Sequence, residues 1–342
     1  MTDLDLPLIW AGIIATAVLL YVLLDGFDLG VGILFPFAGS PAHRDVMMDS
    51  IAPVWDGNET WLVLGGGGLL AAFPKAYAVI LPALYVPILL MLMGLILRGV
   101  AFEFRLRGRR RGKAFWTAAF TGGSLVAAFA QGCVLGGFIQ GIKVVDGAFA
   151  GGPFDWLSAY SLTVAAGLVA GYALLGAGWM IWRAEGELHD LARRWALRAA
   201  VAVAVLLAAV SVATLFVDPR VAARWGFAGG TFHLNDLAPR LIVPGLGAIG
   251  LAVLAVGLMR RSHVLPFVGG AIVFLSGYIG LAISFFPHIV PYSLTFRQAA
   301  SADNALALML VGVAVLLPAI LGYTVWVYWL FRGKVGADAG YH

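Results

Sequence analysis

Hydrophobic positions in this chain fall in long unbroken runs, not in the alternation that a half-buried strand would show. A helix needs roughly 20 consecutive apolar residues to cross the hydrocarbon core of a bilayer. Such windows lie at roughly 7–34, 51–73, 76–98, 114–140, 157–182, 196–217, 238–259, 264–286 and 304–331. The pattern predicts an all-α integral membrane protein of about nine transmembrane helices. Helices are favoured over a barrel because barrel strands alternate apolar and polar positions. The second and third windows are the closest pair, parted only by the turn Phe73-Pro-Lys-Ala76. Connecting segments are short; the longest irregular ones are Val144–Asp155, Asp218–Asp236 and Pro287–Asp303. None could fold as a separate soluble domain, so residues 1–342 are expected to form one polytopic membrane domain.

Two stretches break the apolar pattern where it should be strongest. Leu24-Asp-Gly-Phe-Asp-Leu-Gly30 carries Asp25 and Asp28, and Ser50-Ile-Ala-Pro-Val-Trp-Asp-Gly-Asn-Glu-Thr-Trp-Leu62 carries Asp56, Asn58 and Glu59 beside Trp55 and Trp61. An acid at the centre of a membrane helix costs about 2.5–3.5 kcal/mol on insertion scales, so these carboxylates need a reason to be there. Each pair is spaced three residues apart, which puts both members on one helix face. Ser50 suits an N-cap and Pro53 a first helical turn. On that placement Asp56 to Glu59 lie roughly 9–14 Å beyond the cap, too deep for simple capping groups.

Composition agrees with a membrane protein. The chain is 61% hydrophobic and 12% charged, about half the charge of a soluble domain, with a mean hydropathy of +0.93. The net charge of +4 does not signal nucleic acid, because basic residues in such a chain mark cytoplasmic loops. Sixteen of the 22 Lys and Arg residues fall on one side of the nine-span layout, which predicts a periplasmic N-terminus and a cytoplasmic C-terminus. Both acidic stretches then lie in the cytoplasmic half, joined by a loop at Phe35–Asp49. The start Met1-Thr-Asp-Leu-Asp5 is acidic where a cleavable signal would be basic, so the first helix is expected to be retained. Glycines recur on helix faces at 65–68, at 132/136/137/141 and at 167/171/176/178, as expected for close helix packing. The run Arg107–Lys113 reads as a topology anchor against anionic lipid.

Few residues offer chemistry. All six histidines, His43, His189, His233, His263, His288 and His342, fall in loops, tails or helix ends, which leaves no mid-membrane axial ligand for a haem. Met91, Met93, Met180 and Met309 read as packing residues. Cys133 is alone, so no internal disulfide or thiolate cage can form. No phosphate-binding loop, nucleophile elbow or metal-ligand spacing is present. The acids remain. Carboxylates in an apolar setting can exchange protons near neutrality, and with Asn58 and water they could form a relay; the alternative is that they satisfy helix ends. Arg98 and Glu103 suit an interfacial ion pair at the end of the third helix better than a transport site.

At these motifs the chain resembles subunit II of the cytochrome bd family of quinol oxidases, including its cyanide-insensitive branch. The resemblance rests on Asp25-Gly-Phe-Asp-Leu-Gly-Val-Gly32, the stretch from Ser50 to Leu62, Phe73-Pro74 with Tyr77, and Arg98-Gly-Val-Ala-Phe-Glu-Phe-Arg105. Gly136-Gly-Phe-Ile-Gln-Gly141, Pro291-Tyr-Ser-Leu-Thr295 with Ala299, and Tyr323-Thr-Val-Trp326 extend it over essentially the whole chain. Thr60 departs by standing where many members carry an aliphatic residue. The resemblance implies a nine-helix, multi-pass subunit of the bacterial cytoplasmic membrane that binds no haem itself. It pairs with a homologous subunit I carrying two b-type haems and a haem d or third b-type haem, in some members with a small single-helix accessory chain. Lipid and quinone are the other expected contacts, and some members hold a structural quinone. A role in supplying cytoplasmic protons to the oxygen-reducing haem is carried over to Asp56 first, then Asp25 and Asp28, with Asn58, Glu59 and Trp55 lining the path. On the residues alone, a secondary transporter using its acids at midplane and a purely structural scaffold stay open as rivals.

Overall fold

The computed structural model describes residues 4–107, 110–228, 230–233 and 238–335, so Asp3, Arg109, Asp236 and His342 lie outside it. The chain is helical almost throughout. Helix α1 (Leu6–Leu34) is capped by Asp5, which accepts a hydrogen bond from Leu8 N at 3.3 Å. Next come α2 (Pro41–Ile51), α3 (Trp55–Ala72), α4 (Pro74–Arg107), α5 (Arg110–Gln140), α6 (Ala159–Arg183) and α7 (Gly186–Thr214). The short α8 (Pro219–Arg224) precedes α9 (Ile242–Met259) and α10 (Leu265–Phe285); the single turn α11 (Phe296–Ala299) leads into α12 (Asp303–Leu330). The three long irregular segments each fold over a two-stranded antiparallel hairpin, pairing Val144–Val145 with Ala148–Phe149, Phe227–Ala228 with Thr231–Phe232, and His288–Val290 with Leu294–Thr295.

The expected start of the second spanning helix is corrected. The segment predicted as a loop forms α2, capped by Ser40, whose hydroxyl accepts from His43 N at 3.1 Å. Ser50 lies near its end and donates to Met47 O at 2.8 Å; it caps nothing. The break falls at residues 52–54 because Pro53 has no N–H to donate and its ring clashes with the carbonyl four residues back. Helix α3 therefore restarts at Trp55, without a side-chain cap, and Asp56 stands in its first turn.

Eight helices among the described residues are long and apolar enough to cross a membrane: α1, α4–α7, α9, α10 and α12. Helix α3 falls short on composition because Asp56, Asn58 and Glu59 dilute it. Its 18 residues run antiparallel to α1, with Asn58 beside Leu24, Gly65 against Val18, Gly68 against Ile14, and Ala72 O accepting from Ser301 N. At 1.5 Å per residue that is about 27 Å of helix alongside a membrane-length neighbour. Helix α4 kinks at Leu84, between Pro82 and Pro87, and continues well past Arg98.

Helix α1 is the hub, packed against α3, α5 and α6. Its contact with α6 is close enough to exclude any side chain: a methyl on Gly30 would lie 1.8 Å from Tyr172 O, and one on Gly176 would lie 2.4 Å from the Gly30 carbonyl carbon. The expected packing through small residues holds at Gly132 against Ala165 and at Gly136 against Ser161, but Gly66 and Gly67 face open space. The last helix is the opposite of the hub. Of its 28 residues only Leu306 and Val327 are buried.

Candidate functional site

Around the end of α1 nearest α2, six helices contribute to a polar cluster. Asp25 and Asp28 are fully buried, as the shared face and central position of α1 dictate. Arg98 of α4 is 2% exposed and places Nη1 2.7 Å from Asp25 Oδ1 and Nη2 3.1 Å from Glu59 Oε2. The contact to Asp25 is off the hydrogen-bonding line, so it is an ion pair without an aligned bond. Trp55 lies under the same guanidinium, 5.9 Å from ring centre to Cζ, which adds a cation–π contact. The expected Arg98–Glu103 pair is not formed. Glu103 is exposed, because the helix continues and turns it outward, and Arg98 instead balances the acids of α1 and α3.

The amide of Asn58 joins the remaining members. Its Nδ2 donates to Asp28 Oδ2 at 2.7 Å and to Leu24 O at 3.4 Å, while its Oδ1 accepts from the Tyr328 hydroxyl of α12 at 2.8 Å. One turn before Asp25, Tyr21 begins a second chain of buried polar groups. Gln131 Nε2 of α5 donates to the Tyr21 hydroxyl at 2.5 Å, and the Tyr172 hydroxyl of α6 donates to Gln131 Oε1 at 2.7 Å. These groups link carboxylate, amide and phenol across the bundle, a set able to hold and pass protons. Three carboxylates share one guanidinium in an apolar setting, which is costly unless every member is paired or protonated.

The structure thus gathers Asp25, Asp28, Asn58 and Glu59 with Trp55, and leaves Asp56 apart. Asp56 is exposed on the first turn of α3, close enough to Glu59 to be felt electrostatically but outside the buried cluster. Its expected depth is corrected for the same reason as the Ser50 cap: the helix begins at Trp55, four residues later than expected. Gln131, Tyr21, Tyr172 and Tyr328 were not foreseen as part of the site. Gln131 had a signal, being an amide inside an otherwise apolar span; the tyrosines did not stand out, since they suit packing equally well. Met180 and Met91 are buried in apolar surroundings and serve packing, as expected, whereas Met93 is exposed. Among the described residues, no group of three or more His, Cys, Asp or Glu is placed to hold a metal ion.

A second buried cation stands nearer the α2 end. Arg105 is 1% exposed, 2.8 Å from Asp45, and donates to Thr117 Oγ1 at 3.1 Å. Asp49, on α2 beside it, has its carboxyl pushed above the ordinary range by burial, with the Asp45 charge adding to the effect.

The chain matches the family model for cytochrome bd terminal oxidase subunit II over residues 6–331. It belongs to that family. Subunit II membership makes it a component of a terminal oxidase of the respiratory chain and a multi-pass protein of the bacterial cytoplasmic membrane. Among curated relatives it is 29% identical to cytochrome bd-I ubiquinol oxidase subunit 2 of Escherichia coli strain K12, covering 96% of this chain and 95% of that one. It is also 29% identical to cytochrome bd ubiquinol oxidase subunit 2 of Bacillus subtilis strain 168, covering 96% of each. A chain of the solved bd oxidase of Geobacillus thermodenitrificans superposes with a TM-score of 0.75 over 97% of this subunit and 100% of that chain. At 18% identity, this last likeness speaks to the fold alone.

Proposed function

We propose that this subunit binds no haem and pairs with a haem-bearing subunit I in a quinol-oxidising, oxygen-reducing complex, where it supplies protons from the cytoplasm. Nine helices cross the membrane, with the N-terminus outside and the C-terminus inside. The antiparallel run of α3 along α1 supports the ninth crossing. Each electron passed to oxygen requires one proton, and the oxygen chemistry lies in the partner. The partner covers the outer faces of α3 and α12. Helix α12 buries almost nothing of its own, and an exposed Asp56 in a membrane helix needs a protein or water neighbour more than a lipid one.

The observation that carries the reading is the connected set of buried polar groups at Asp25, Asp28 and Asn58, which reaches the half-buried Tyr328 on α12. Asp56 and Glu59 form the entrance on α3, Trp55 lines it, and Arg98 holds Asp25 and Glu59 in place. Protons leave Asp28 on water towards the face of α12, while Asn58 orients Asp28 and Tyr328 by its two hydrogen bonds. The test uses the complete oxidase, with quinol-driven oxygen consumption measured beside the visible haem spectrum. Asp25→Asn should reduce turnover at least tenfold with haem content intact. Unchanged turnover in Asp25→Asn and Asp56→Asn, with assembly preserved, would overturn the relay. A structural reading has one observation in its favour: Arg98 pairs with both Asp25 and Glu59, as an assembly clamp would. It predicts loss of haem and subunit pairing in these variants in place of slow turnover.

A further inference from the structure

The flank of α5 carries a groove that the proposed proton route does not use. It encloses about 500 Å³ between Pro36 and Arg44 on one side and α5 on the other, where Ala114, Ala118 and Gly122 form the floor. These three small residues recur every fourth position, so they draw a shallow channel about 12 Å long down one helix face. A methyl added at Gly122 would meet nothing within 4 Å, so the groove is open at that position.

The mouth of the groove is cationic. Arg44 is tethered by a bond from Nε to Phe35 O at 3.3 Å, and among the described residues no carboxylate lies within ion-pair distance of it. Arg105 and Lys113 both turn to Asp45, at 2.8 and 3.2 Å, so among the described residues that carboxylate is already engaged by two other cations. Thr117 is fully engaged: its hydroxyl accepts from Arg105 Nε and donates to Lys113 O. Thr121 Oγ1, one turn further, is buried without any hydrogen-bond partner. Exposed aromatic rings at Phe37, Phe104 and Phe115 stand around this end of the bundle, as rings do where a membrane meets water.

We propose that this groove binds an anionic phospholipid of the leaflet on the basic side. Its phosphate sits on the Arg44 guanidinium, Thr121 donates to the headgroup, and one acyl chain runs from Ala118 past Gly122 along α5 towards the membrane interior. Charge decides the occupant: a neutral quinone would leave Arg44 unbalanced, and a guanidinium and phosphate are matched in shape as well as sign. The proposal needs only the membrane location of the subunit and is independent of the proton route.

The test uses the complete, delipidated oxidase in detergent. Thermal unfolding is followed with added phosphatidylglycerol, phosphatidylcholine or inorganic phosphate, and lipid retained by the complex is counted by native mass spectrometry. Phosphatidylglycerol should raise the midpoint by several degrees, phosphatidylcholine by clearly less, and inorganic phosphate not at all. Arg44→Gln should abolish at least half of that rise. Ala118→Leu, which fills the channel and leaves the cation in place, should do the same and lower the lipid count by one. The proposal fails if both variants respond like the native complex or if the two lipids act alike. It also fails if the species lost on Ala118→Leu is a quinone or a small polypeptide.

Discussion

Two acid pairs with the same spacing end in opposite surroundings. Asp25 and Asp28 are sealed inside the bundle, whereas Asp56 and Glu59 straddle its edge, the first exposed and the second partly covered beside Arg98. Three-residue spacing sets the shared face of each pair; it says nothing of depth. Depth comes from the helix that carries the pair. Helix α1 is enclosed by α3, α5 and α6, while α3 begins only after the break at Pro53 and turns one flank outward. A buried store of carboxylates is thereby joined to a surface acid by a single turn of helix.

Disturbing the shared counter-ion should have the largest effect. Arg98→Ala would strand Asp25 and Glu59, a loss of about 3–5 kcal/mol for a broken buried pair, seen as poor recovery of the assembled oxidase and a lower melting midpoint. Arg98→Lys should recover part of this, since charge survives and the fork is lost. Next comes the contrast between the pairs. Asp25→Asn and Asp28→Asn should each slow oxygen consumption more than tenfold, and Asp56→Asn by less, because bulk water can stand in for an exposed entrance. A ranking with Asp56 first would move the rate-limiting step to the surface. Tyr328→Phe removes one hydrogen bond to Asn58, worth about 1 kcal/mol, and should lower turnover a few-fold with an intact haem spectrum.

The smallest effect is expected at a partly exposed acid outside the spanning helices. Asp218 caps α8 through a bond from Arg220 N at 2.8 Å, and hydrogen bonds from the Arg220 guanidinium hold its carboxyl below the ordinary range. A lowered folded value means that its stabilisation is present above about pH 4 and is lost as pH falls through that value. Asp218→Ala should therefore cost about 1 kcal/mol or less near neutrality. The difference in melting midpoint from the native complex should shrink as the pH is lowered below about 4.

Much of this was legible from residue order. Of the nine spans read from apolar runs, eight are helices long and apolar enough to cross a membrane, and glycine spacing found the contacts at Gly132 and Gly136. The acids announced the site because their insertion cost demands partners. Three things stayed hidden, each for a physical reason. Pro53 reads equally well as a first-turn residue or as a breaker, and only the stronger start at Ser40-Pro41 decides between them. Arg98 has an acid five residues ahead, yet its true partners lie on two other helices, a pairing that periodicity cannot express. Tyr328 and Gln131 matter through contacts that depend on how α12 and α5 cross α1.

The ion pair between Asp25 and Arg98 also sets a timetable. The ribosome adds Arg98 73 residues after Asp25, about 4–15 s later at roughly 5–20 residues per second. During that interval the acids of α1 have no cation to answer them, so they stay protonated or near water. Arrival of α4 is the event that locks them in, and it makes the order of synthesis part of how this membrane protein is built.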